Sequence, residues 1–178
     1  RGFKILLTAY PEAQRIFDYG ALDLRYFRSG ALIRDEGDWL KLLNPLREPT
    51  GAFTTLVSPF GTPADKLRVL GLLGHVKSLS LEDLFAQNAT TTLAFLRDWG
   101  FSEQIIMRFF RPFFGGVFLE DELATSSNFF EFCFRMFFLG DAAVPARGIG
   151  ELAGQLAHQL PAGTLRLNTP VDRVEGQT

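Results

Sequence analysis

The stretch from Ile105 to Phe138 constrains this chain more than any other, because eleven of its nineteen phenylalanines fall there. Phe109, Phe110, Phe113, Phe114 and Phe118 occupy the first half. Phe129, Phe130, Phe132, Phe134, Phe137 and Phe138 occupy the second, beyond a polar hinge from Glu120 to Asn128. At helical spacing Ile105, Phe109 and Phe113 form one stripe and Ile106, Phe110 and Phe114 the next, so the apolar arc is wide. In the second half Phe130, Phe134 and Phe137 line one face, and Phe129, Cys133 and Met136 another. Only Glu131 and Arg135 interrupt, at the i,i+4 spacing of a helix ion pair. A helix apolar on nearly all sides needs a core, a lipid or a large flat ligand around it. A crossing helix takes ~20 uninterrupted apolar residues, and Arg108, Arg111, Glu120, Glu131 and Arg135 break every such run. Core packing and the wall of an apolar pocket both remain open as readings.

With 178 residues, 47% hydrophobic and 21% charged, the chain can bury a core of one domain or slightly more. A net charge of -2 provides no electrostatic footprint for nucleic acid, so no nucleic-acid partner is expected. A single cysteine, Cys133, excludes a disulfide framework and a thiolate cluster, and fits a reducing compartment. His75 and His158 are far apart in sequence and lack ligand-like neighbours, so no metal site is expected. The expected location is cytoplasmic, with peripheral membrane contact through the aromatic surface as an accompanying expectation. The chain opens Arg1-Gly2-Phe3-Lys4 without a signal peptide, and both ends read as cut.

Along the chain, Phe3 to Leu7 reads as a strand and Pro11 as the first turn of a helix. Leu24 to Leu32 returns to strand character, and Asp35-Glu36-Gly37 turns it into a hairpin with Trp39 to Leu42. The rest, to about Gly140, reads as helices. These are Phe53 to Val57, Pro63 to Leu73 stopping near Gly74, Leu81 to Gln87 capped by Ser80 and Asp83, and Thr91 to Trp99. Ser102 caps a further helix, which Pro112 and then Gly115-Gly116 are expected to stop or kink. Thr125-Ser126-Ser127 launches the last Phe-rich helix. Gly150 to Leu160 is an amphipathic helix with Leu152, Leu156 and Leu160 on one side, and Thr164 to Leu167, then Val171 and Val174, read as strand. The layout is α+β: a mostly helical inserted domain carrying a β-hairpin, whose two ends return to one α/β partner.

Gly148-Ile149-Gly150-Glu151-Leu152-Ala153 formally matches a dinucleotide fingerprint, with Asp172 near the ribose-acid position. The segment before it, Ala142 to Ala146, is short and contains Pro145, so a helix start with permissive glycines is the competing reading. Arg108, Arg111, Glu120 and Asp121 read as a solvated rim of the aromatic cluster, with substrate anchors as the competing reading. No Ser/His/Asp constellation is present, so acid-base chemistry would fall to carboxylates, a tyrosine or a cofactor.

Three runs carry a family resemblance. Arg1 to Pro11, Arg111-Pro112-Phe113-Phe114-Gly115-Gly116-Val117-Phe118 with Leu123 to Ser127, and Val144 to Gly150 with Leu167-Asn168-Thr169-Pro170-Val171-Asp172-Arg173-Val174 occur in this order. In that order they resemble the flavin-containing amine oxidoreductases of the phytoene desaturase and protoporphyrinogen oxidase kind. The resemblance implies residues 1–22 at the edge of an FAD-binding domain, 23–145 as a mostly helical substrate-binding domain, and 146–178 as the return to the FAD-binding domain. It implies FAD as cofactor, with Gly2 and Phe3 near the isoalloxazine ring and Val171 touching the adenine end through its backbone.

On this reading Phe109, Phe113, Phe114, Phe130, Phe134 and Phe137 hold a hydrophobic small-molecule substrate, polyene-like or polycyclic, while the flavin does the hydride chemistry. Two departures bear on it. Arg147-Gly148 stands where relatives tend to have Gly-Gly, and the family's N-terminal G-x-G-x-x-G and C-terminal FAD segment are not in the sequence. The expectation is therefore a central piece of a larger oxidoreductase, partnered by the remainder of its FAD domain and not holding FAD tightly alone. The alternatives are a non-catalytic apolar-ligand or membrane-surface binding module, and a flavin-dependent isomerase.

Overall fold

Leu6–Leu7 (β1) and Pro11–Ile16 (α1) are the first elements of the computed structural model, which describes residues 4–28, 30–35, 38–43 and 61–174. Pro11 sits in the first turn of α1, where a missing N–H costs nothing. Leu24–Tyr26 (β2) is followed by Gly30–Asp35 (β3) and Asp38–Leu43 (β4), an antiparallel pair with Gly30 opposite Leu43 and Asp35 opposite Asp38. The returning strand of the expected hairpin is present, but the strand expected from Leu24 to Leu32 is not continuous: only 30–35 pairs with 38–43, whereas Leu24–Tyr26 finds its ladder partner in Ala142–Pro145 of another sheet. The hairpin tip at 36–37 and the helix expected from Phe53 to Val57 lie outside the described residues.

A helical layer occupies the centre of the chain: Pro63–Ser78 (α2), Leu81–Ala86 (α3), Thr92–Asp98 (α4), Glu103–Ile105 (α5), Arg111–Phe118 (α6) and Ser127–Leu139 (α7). Thr62, Ser80, Thr91 and Ser102 cap four of these by accepting a hydrogen bond from the backbone three residues on. Two expected breaks do not occur. Helix α2 passes through Gly71 and Gly74 to Ser78, because Leu72, Leu73 and Val76 are buried in the core and outweigh a glycine penalty of ~1 kcal/mol. Pro112 does not end its helix either. A π-helical turn at Ile106–Phe110 joins α5 to α6, with the Arg111 N–H bonded to the Ile106 carbonyl, and this wider turn precedes the proline ring. Gly115 and Gly116 stay helical, and the stop comes at Leu119 in the left-handed region (φ 59°).

Ala142–Pro145 (β5) leaves the end of α7 and lies between the two early strands, antiparallel to both, in the order β1-β5-β2. Leu6 faces Ala143, and Leu24 faces Pro145. Gly150–Gln159 (α8) packs Leu152 onto this sheet, whereas Leu156 and Leu160 on the same stripe stay exposed. The strand expected from Thr164 to Val174 is absent. That segment is irregular, and Leu165, Leu167, Val171 and Val174 are 54–86% exposed. Strand character needs a ladder partner, and none of the described strands offers it one. The main core lies within the helical layer. A smaller core joins Leu6, Leu22, Leu24 and Ala143, with Phe17 and Tyr19 packed against it.

Candidate functional site

The aromatic wall is built by α6 and α7 with the π-helical turn between α5 and α6. Phe110, Phe114, Phe130 and Phe134 are closed off in the core. Their rings interlock: Phe114 lies 4.7 Å from Phe130 and Phe110 lies 5.9 Å from Phe130, both edge-to-face. Phe109, Phe113 and Phe137 are only partly buried and form the outer row, with Phe109 stacked on Phe113 at 5.7 Å and Phe137 edge-on to Phe113 at 5.1 Å. The six expected substrate residues thus divide into an inner set, Phe114, Phe130 and Phe134, and an outer set that reaches the surface.

A second apolar surface lies on the other side of α7. Tyr10, Pro11, Ala13, Ile16 and Phe17 from α1 and its approach face Leu81 and Phe132 across an open groove of about 390 Å³. The Tyr10 and Phe132 rings are 5.8 Å apart. Burial pushes the Tyr10 phenol up from its ordinary value, with the Cys133 thiol adding to it, and burial pushes that thiol up to about 11. Cys133 is therefore an inert thiol rather than a nucleophile. Tyr10 and Phe132 escaped the sequence reading because a groove between α1 and α7 joins residues more than a hundred positions apart.

The polar residues of α7 form one stripe that faces the α2–α3 corner. Asn128 donates to the carbonyls of Phe85 and Gln87, Arg135 donates to that of Leu79, and Glu131 meets His75. The ion pair expected between Glu131 and Arg135 is not formed, because each finds a partner on a neighbouring element. His75 Nε2 and Glu131 Oε1 are 2.9 Å apart, and burial pushes the Glu131 carboxyl up despite the opposing pull of His75. A charged residue in the middle of an otherwise apolar helix is the sequence signal for this pair. His75 itself gave no such signal.

Gly2 and Phe3 lie outside the described residues. Val171 lies in irregular chain beside Pro170 and Asp172 and is 75% exposed. A Cβ added at Gly148 or Gly150 would meet nothing within 4 Å, so neither lies against a closed cradle. The strand β5 ends at Pro145 rather than running into Gly148, which argues for the helix-start reading of that motif. Gly150 is the first residue of α8 and Gly148 lies just before it, both among the described residues. Among the described residues, no three His, Cys, Asp or Glu side chains converge as metal ligands, and no helix is long and apolar enough to cross a membrane.

Comparison with known families gives a match to the model of the flavin containing amine oxidoreductases over residues 1–177. No curated protein and no solved structure matches the chain.

Proposed function

Because the chain belongs to the flavin-containing amine oxidoreductase family, a group of flavin-dependent oxidoreductases, we propose that it forms the substrate-binding part of an FAD-dependent enzyme acting on a hydrophobic molecule. The observation that carries this reading is the extent of the family match, which takes in both the sheet-forming ends and the helical layer. The α+β arrangement with residues 23–145 inserted between 1–22 and 146–178 rests on the family resemblance; in the sheet, β1 from the first part pairs with β5 from the second, which also pairs with β2. The phytoene desaturase-like assignment rests on the order of the three motif runs. An apolar substrate is supported by the outer aromatic row.

In this proposal the chain's own residues bind and desolvate rather than react. Phe109, Phe113 and Phe137 supply the contact surface, and Phe114, Phe130 and Phe134 hold it rigid from behind. A preformed apolar wall lowers the ordering cost of binding a flat or elongated ligand. By the family resemblance Gly2, Phe3 and the Val171 backbone would help the remainder of the FAD domain hold a flavin, which would supply the hydride chemistry when bound. Expression of the complete reading frame that encodes this chain should give a yellow protein that releases FAD on denaturation. A colourless product with no released flavin overturns the proposal.

A further inference from the structure

Packing is not the whole of what ties the Phe-rich helix α7 to α2. Glu131, at 1% exposure, is among the largest fully buried side chains, yet it carries a carboxyl group. Its one ionisable hydrogen-bond partner among the described residues is His75 at 2.9 Å, whose side chain is 31% exposed. The imidazole also lies against Trp99 at the end of α4, ring centroids 5.2 Å apart. The other charges on these elements are engaged or face solvent. On α2, Arg68 lies 3.9 Å from Asp65 at the far end, where Lys66 also stands, and Lys77 is exposed. On α3, Asp83 is bonded to Ser80 and Glu82 is exposed; on α4, Arg97 pairs with Glu103 and Asp98 is exposed. On α7 itself Arg135 donates to the Leu79 carbonyl, and Cys133 is a buried thiol.

We propose that His75 and Glu131 form a proton-sensitive latch between α2 and α7, closed while the pair shares one proton and weakened when that proton is lost. With one proton the pair is neutral overall, whichever atom carries it. Removing the proton leaves a full negative charge on a carboxylate that water does not reach, and such a charge is costly unless compensated. A carboxyl whose folded value is raised contributes stability below its unfolded value, and that contribution is lost as pH rises through the folded value. The latch therefore holds in mild acid and loosens on the alkaline side. Because α7 carries six phenylalanines, loosening it loosens the aromatic wall. That consequence rests on the function proposed above; the latch itself does not.

The test uses the full-length protein, its Glu131→Gln and His75→Gln variants, and Trp99 as a built-in reporter, since a protonated imidazole quenches indole emission. Thermal midpoints are recorded from mildly acid to alkaline pH, and Trp99 emission is isolated by subtracting a Trp99→Phe control. The parent should lose stability toward alkaline pH. Glu131→Gln should flatten that loss, and His75→Gln should begin it at lower pH. The pH dependence of Trp99 emission should differ between the parent and Glu131→Gln, since the carboxyl group beside the imidazole has been removed. The same alkaline loss in all three proteins, with an unmoved Trp99 transition, overturns the latch. Should Glu131→Gln fail to fold, the parent and His75→Gln decide: superimposable stability profiles together with a pH-independent Trp99 emission overturn it. A colourless full-length protein defeats the flavin reading and leaves these curves untouched.

Discussion

Asp65 shows how one side chain can hold two helices. Its carboxylate is fully buried and accepts hydrogen bonds from the Thr62 N–H (2.7 Å) and hydroxyl (2.8 Å) and from the Ser102 N–H (2.8 Å) and hydroxyl (2.7 Å). It thereby completes a capping box on α2 and ties the cap of α5 to it. Burial alone would raise its carboxyl, but the bonds from Ser102 and Thr62 outweigh burial and hold it below the ordinary range. Asp65→Asn should cost about 2 kcal/mol at neutral pH, measured by urea unfolding, since hydrogen bonds to a charged group contribute ~1.5–3 kcal/mol. The contribution is complete above the unfolded value of about 4 and is lost as pH falls through the lower folded value, so parent and variant should converge on acidification. Thr62 and Ser102 are typical capping residues, and Ser102 was legible as a cap from sequence alone. That one aspartate serves both caps was not, because the shared carboxylate exists only after α2 and α5 meet.

Among elements, the contrast between α2 and the end of α7 separates two uses of glycine. Gly71 and Gly74 lie mid-helix, with nothing within 4 Å of an added Cβ. Gly71→Ala and Gly74→Ala should each raise stability by about 0.5–1 kcal/mol, since they remove backbone entropy from the unfolded chain without a clash. Gly140 is different. A Cβ there would fall 2.8 Å from Ala9 Cβ and 2.8 Å from the Met136 carbonyl oxygen. Gly140→Ala should therefore cost about 1–3 kcal/mol, as overpacking does, and thermal melts of the three variants would show opposite signs. Element identity was largely legible: the β3–β4 hairpin, the Ser80 and Ser102 caps and the start of α7 follow from spacing and turn chemistry. The lengths of α2 and of the α5–α6 run were not. Local breakers forecast stops there, and burial of Leu72, Leu73, Val76, Phe110 and Phe114 overrode them.

Across the whole molecule, the same phenylalanine run serves as core and as surface, and substitutions should separate the two. Phe130 has no exposed surface, and its ring meets those of Phe95, Phe110, Phe114 and Phe134. Phe130→Ala should cost about 3–5 kcal/mol. Phe113→Leu and Phe137→Leu change shape at partly buried positions and should cost less than about 1.5 kcal/mol. If the proposed function holds, they should instead raise the KM of the full-length enzyme for its apolar substrate about tenfold, equivalent to ~1.4 kcal/mol. Unfolding curves read beside KM make the distinction, and an unchanged KM with unchanged stability counts against the outer row as a binding surface.

The order of residues alone determined that the centre of this chain is helical and aromatic, that a hairpin precedes it, and that its motifs follow the pattern of a flavin-dependent family. The first two follow from local spacing, which survives without knowledge of distant partners, and the third is a resemblance of motif runs to a known family. Tertiary structure decided which rings close off and which reach the surface, that β5 lies between β1 and β2, and that Glu131 turns to His75 rather than to Arg135. It also left residues 164–174 without a ladder partner among the described strands, so their strand-like alternation did not become a strand. These outcomes depend on residues far apart in sequence meeting at a few ångströms, where burial and the satisfaction of polar groups outweigh the preferences of any single segment.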